Sequence, residues 1–109
     1  MKKPLLELGK KKFEAMVEDA TVDCYNPSEQ AAGWFTMIDE HLKVPLQTEL
    51  LGVSVTVEKV DLNQNEDIVA ICRRGKHRQT VPVLDLPLSA PLPAGAEWIE
   101  AYRRWMSGE

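Results

Sequence analysis

The sequence predicts an α+β fold: a small, strongly bent antiparallel sheet flanked by a central and a C-terminal helix. Three observations predict it. Apolar residues recur at helical spacing in two separated stretches, Ala31 to Leu42 and Trp98 to Met106. Between them, Val53, Val55 and Val57 alternate with Ser54, Thr56 and Glu58, the period of a half-buried strand. Turn signals at Gly52 and at Arg74-Gly75-Lys76 divide that middle region into short segments. Four or five closely spaced short strands point toward an SH3-like barrel.

The elements follow in chain order. All 109 residues are expected to form a single domain, with residues 1–9 a weakly ordered lead. Phe13, Met16 and Val17 fall at i, i+3 and i+4, so Lys10 to Asp19 reads as a short helix. Thr21 and Val22, both β-branched, are expected to lead out in extended geometry.

The central helix has strong boundaries. Asn26 is the N-cap, Pro27 suits the first helical position, and Glu29 stands where a capping box needs an acid. Ala31, Trp34, Phe35, Ile38 and Leu42 form one apolar stripe. Gly33 inside it costs about 1 kcal/mol against alanine, which predicts a close neighbour there. Pro45 ends the helix and pushes Val44 toward extended geometry.

Leu46 to Leu51 and Val53 to Glu58 read as strands, followed by the polar loop Asp61 to Asp67. Ile68 to Cys72 is the third strand. His77 to Leu86 is the fourth, at an edge because Pro82 cannot donate to a ladder. Pro87, Pro91 and Pro93 mark an extended tail. The last helix, from about Gly95 to Met106, gathers Trp98, Tyr102, Trp105 and Met106 on one face.

Composition narrows the class. Apolar residues make up 44% and charged residues 28%, which is globular rather than disordered. No apolar run approaches a membrane span, and MKKPLLELGKKK lacks the apolar region of a secretory signal. The expected location is cytoplasmic, with no membrane partner. Cys24 and Cys72 stand alone, outside any CxxC, and are expected to be reduced; neither a disulfide nor a zinc site with His41 and His77 is favoured. The net charge of −4 disfavours nucleic acid as a partner. Lysines cluster at 2–3 and 10–12, and acids at 14–29, 39–40 and 58–67.

Three groups of residues could carry chemistry. With Ile38 at the centre of the buried face, Asp39 lies about 100° round, at the border of that face, and Glu40 points further out. A border carboxylate can reach oxygens on the adjoining sheet and suits a hard cation such as Ca²⁺. From these two residues alone, the default is a solvated helix flank.

The 61–67 loop carries Asp61, Asn63, Asn65 and Asp67 at alternate positions, as an EF-hand loop does. The match fails, because the sixth position holds Glu66 instead of glycine and the twelfth holds Cys72 instead of glutamate. A polar β-turn loop is its default reading.

Arg73, Arg74, Lys76 and Arg78 surround a tight turn and could grip phosphate. They have no neighbouring aromatic to stack a base, and they more readily blunt a sheet edge. The three tryptophans read as core. No GxSxG, P-loop or GxGxxG occurs, and an enzyme is not expected.

One stretch carries more than these patterns. Asp23-Cys24-Tyr25, Glu29, Gly33-Trp34-Phe35, Ile38 to Leu42 and Val44-Pro45-Leu46 together resemble the CcbP-type bacterial calcium-binding proteins. Gly52 to Val55, the 61–67 loop, Val81-Pro82-Val83 and the tryptophan-bearing last helix extend the resemblance over about residues 22 to 106. The chain departs from that family at Thr36 and Met37, where tyrosine is common. It departs also in a shortened segment before Gly52, and at Asn63, Gln64 and Asn65, where the loop is usually more acidic.

The resemblance implies a Ca²⁺ buffer or sensor without an EF-hand, and a calcium ion as ligand. It implies Asp39 as first ligand, Glu40 as second, and Asp61, Glu66 and Asp67 as candidates. Affinity would be on the order of 10⁻⁵ M or poorer. The alternative is a metal-free small-barrel module binding nucleic acid or a partner protein through Arg73, Arg74, Lys76 and Arg78. A monomer or a small homo-oligomer fits either reading, the latter if the Trp98–Trp105 face is left uncovered.

Overall fold

The computed structural model describes residues 6–108; Lys2 and Lys3, and most of the expected weakly ordered lead, lie outside them. Three helices, α1 (Lys10–Thr21), α2 (Pro27–His41) and α3 (Ala96–Met106), accompany four strands. The strands are β1 (Leu46–Leu50), β2 (Val53–Leu62), β3 (Ile68–Arg74) and β4 (His77–Pro82). They form an antiparallel meander in the order β1-β2-β3-β4. The α+β expectation holds. The sheet stays open, with β1 and β4 as its edges, and does not close into a barrel.

Local differences from the sequence reading have physical causes. Helix α1 runs two residues past Asp19, and the Thr21 hydroxyl donates to the Val17 carbonyl at 2.7 Å, so this β-branched residue closes the helix rather than breaking it. Strand β2 is longer than its valine alternation, because a bulge between Val57 and Lys59 shifts its phase. Val55 and Val57 face inward before the bulge and Val60 after it, so one extra residue keeps both halves on the core side. Strand β4 stops at Pro82, where the missing N–H ends the ladder and a 3₁₀ turn, Val83–Asp85, begins.

The helices cover one face of the sheet. Trp34 and Ile38 of α2 are fully buried. The Trp34 ring packs against Trp98, Tyr102 and Trp105 of α3, with centroids 6.3, 5.7 and 5.5 Å away, so the aromatic face of α3 is covered from within. A Cβ at Gly33 would stand 1.9 Å from the Ala20 carbonyl oxygen of α1, which is the close neighbour the sequence predicts. Gly95 does the same at the other end of α2. It takes φ +91°, and a Cβ there would lie 2.1 Å from the His41 carbonyl oxygen. Helices α2 and α3 are thereby locked antiparallel, with Gly95 beside His41 and Trp105 beside Trp34.

Candidate functional site

The candidate ligands occupy the two ends of α2. At the N-terminal end the local chemistry is closed. The Asn26 carboxamide oxygen accepts from the Glu29 N–H at 2.8 Å. The Glu29 carboxylate reaches back to the Tyr25 N–H at 3.0 Å, one residue earlier than a strict capping box. The Ser28 hydroxyl donates to the Glu66 carboxylate, which docks the 61–67 loop on the first turn of α2. Negative charge is favoured here, because the helix presents its unpaired N–H groups and the positive end of its dipole.

The 61–67 loop is organised by Asn63. Its side-chain oxygen accepts from the Asn65 and Asp67 N–H groups, both at 2.9 Å. The Asn63 N–H donates to the Asp67 carbonyl at 3.0 Å, and the Glu66 N–H to the Asn63 carbonyl at 2.9 Å. Asp61 accepts from the Leu62 N–H at 2.9 Å. The alternate oxygens that suggested cation ligands in the sequence thus partly turn to their own backbone. Asp67 stays close enough to α3 for its charge, after burial itself, to push the Tyr102 phenol up.

At the C-terminal end the chemistry is open. Asp39 and Glu40 are exposed, and their carboxylates make no hydrogen bond or ion pair among the described residues. The last turn is pinned around them. The Leu42 N–H closes on the Ile38 carbonyl at 2.8 Å, while the Lys43 N–H turns away to the Ala94 carbonyl at 2.8 Å. The Asp39 carbonyl therefore lacks the i+4 donor it would have inside the helix. His41 bonds through Nδ1 to the Met37 carbonyl at 2.8 Å, so this nitrogen carries the proton. Its ring stacks on Trp98 with centroids 4.8 Å apart. Two carboxylates here face the negative end of the dipole, an arrangement that disfavours the helix by about 0.3–1 kcal/mol per charge and that a cation would relieve.

The structure does not bring the two acidic groups together. Ser28, which touches Glu66, and Asp39 are separated by about 16 Å along α2. Calcium coordinates at roughly 2.3–2.6 Å, so no single ion bridges Asp39 and the loop. Among the described residues no three His, Cys, Asp or Glu side chains form a metal-ready cluster. Sequence reasoning missed the carbonyls of the last α2 turn. Their signal was present in the acids of the last helical turn, ahead of the stop that Pro45 imposes.

The basic hairpin is partly neutralised. Glu58, turned out at the bulge, accepts from Arg73 Nε at 2.8 Å and Arg78 Nε at 3.0 Å, and these bonds hold its carboxyl below the usual range. Arg74 and Lys76 keep no such partner among the described residues. Cys24 and Cys72 are both free thiols; burial pushes the Cys72 thiol up.

A family model described as calcium binding, of the CcbP type, matches residues 14–106. The chain belongs to the CcbP calcium-binding family. Two solved structures share the fold. One, a calcium-binding protein in its calcium-binding form, has a TM-score of 0.69 at 16% identity, over 90% of this chain and 91% of that one. The other is the Anabaena CcbP, with a TM-score of 0.68 at 16% identity, over 95% of both chains. No curated protein sequence matches the chain. Among the described residues no helix is long and apolar enough to cross a membrane.

Proposed function

We propose that this CcbP-family member acts as a Ca²⁺ buffer or sensor of non-EF-hand type, with Asp39 and Glu40 at the C-terminal end of α2 as its primary donors. One observation carries the assignment: two exposed carboxylates, unpartnered among the described residues, stand in a helix turn whose dipole opposes them. The donors fit calcium in kind, since both are hard oxygen ligands. They fall short of the roughly six to eight oxygens calcium takes, so backbone carbonyls and water complete the shell and affinity stays modest. Asp61, Glu66 and Asp67 form a separate acidic region that lends long-range attraction to cations rather than a share of the same shell. The single domain works by binding in the cytoplasm and carries no catalytic step.

Calorimetric titration with Ca²⁺ tests this reading. The wild type should bind on the order of 10⁻⁵ M or weaker. The Asp39→Asn/Glu40→Gln variant should lose at least about tenfold in affinity, because its donors lose their charge. A Glu66→Gln/Asp67→Asn variant should change far less. No heat at millimolar calcium, or equal affinity in the Asp39→Asn/Glu40→Gln protein, would overturn the assignment.

A further inference from the structure

The β1–β2 and β3–β4 turns lie at the same end of the sheet, opposite the 61–67 loop. At its apex stands Leu51, 104% exposed with φ +51°, followed by Gly52 at φ +76°. Two successive positive φ values make a type I′ turn, whose first position favours asparagine, aspartate or glycine. Leucine there is unfavourable twice over, once in the backbone and once in the apolar surface it gives to water. Folding alone does not account for it.

Behind the apex, Leu50, Val53 and Val55 line a cavity of about 340 Å³, with Arg74, His77 and Arg78 also along its wall. The neighbouring turn adds Lys76. Among the described residues, Glu58 is the carboxylate that pairs with these cations, and it is shared by Arg73 and Arg78. Glu49 lines the groove beside the 87–93 segment instead. A chain of net charge −4 thus concentrates net positive charge, with Arg74 and Lys76 unpaired among the described residues, beside the fully exposed Leu51, while Asp61, Glu66 and Asp67 mark the opposite end.

We propose that this end of the sheet docks on an anionic lipid bilayer, Leu51 entering the interface while Arg74, Lys76 and Arg78 meet the headgroups. The charge sign selects an anionic surface, and the charge asymmetry of the molecule orients it hairpins-first. A protruding leucine matches a deformable apolar layer, which needs no preformed pocket to receive it. Docking of this kind requires no membrane span.

Co-sedimentation with vesicles of equal parts phosphatidylglycerol and phosphatidylcholine, in chelator so that calcium plays no part, tests the proposal. The protein should sediment with these vesicles, fail to sediment with pure phosphatidylcholine, and be released as salt rises toward about 0.5 M. Arg74→Gln and Lys76→Gln should each weaken binding about fivefold. Leu51→Asn should weaken it about tenfold or more while raising the melting temperature, because asparagine suits the turn. Leu51→Trp should keep or strengthen binding, with a blue-shifted emission on the vesicles. Absence of binding to anionic vesicles, or binding indifferent to residue 51, would overturn the proposal. So would equally tight capture of single-stranded nucleic acid or an acidic peptide that ignores Leu51.

Discussion

The two ends of α2 carry similar residues in opposite electrostatic settings. At the N-terminal end, Glu29 and Glu66 lie where the dipole welcomes negative charge, and both carboxylates are engaged by Tyr25 and Ser28. At the C-terminal end, Asp39 and Glu40 lie where the dipole opposes them, and neither is engaged among the described residues. The difference shows how acids on one helix divide into structural and available groups. Carboxylates that complete the fold have their oxygens occupied. Those that weaken it remain open to a cation.

Four substitutions sharpen this contrast. The largest acts on the clamp that fixes the open end. Gly95→Ala would drive a methyl group into the His41 carbonyl and impose positive φ on alanine, so a loss on the order of 3 kcal/mol is expected in denaturant unfolding. If the variant proves as stable as wild type, α3 does not brace the last turn of α2.

Next come paired changes at the two ends. Asn26→Ala removes the cap and should destabilise by about 1 kcal/mol with calcium affinity retained. Asp39→Asn should do the reverse, stabilising the metal-free protein by about 0.3–1 kcal/mol while weakening calcium binding. Thermal melts with and without calcium read both signs. A destabilising Asp39→Asn would erase the distinction between the ends.

The smallest effect belongs to Glu58. Arg73 and Arg78 lower its folded pKa, so its contribution is present above the ordinary value of 4.5 and is lost as pH falls through the lowered folded value. Glu58→Gln should flatten the acid limb of the stability profile and leave calcium binding unchanged. An unaltered acid limb would mean the arginines do not hold it.

Much of the fold was legible because its signals are local. Asn26, Pro27 and Glu29 start α2, Pro45 bounds it, and a close neighbour at Gly33 follows from a glycine in an otherwise helical stripe, though not that the neighbour is α1. The α+β class and the core role of the three tryptophans follow from periodicity, whereas the packing of Trp34 on the α3 aromatics depends on the tertiary fold. The Glu58 bulge was not legible, because it shows only when the register of β2 against β3 is known. Nor was the inward turn of Asn63, whose oxygen is as good a ligand as a turn acceptor until its backbone folds.

The candidate site was legible by residue but not by distance. Asp39 and the 61–67 loop share a chemistry, and only the length and direction of α2 reveal that they sit apart. The charge of Arg73 and Arg78 likewise reads as free in the sequence and proves to be shared with a carboxylate 15 and 20 residues away.

Amide chemical-shift mapping during a calcium titration tests the central contrast most directly. Shifts should concentrate at residues 37–43 and at Ala94 and Gly95, which pack on that turn, and the Trp98 indole should respond through its stack with His41. Shifts centred instead on residues 61–67 and Ser28, with the last turn of α2 silent, would contradict the account.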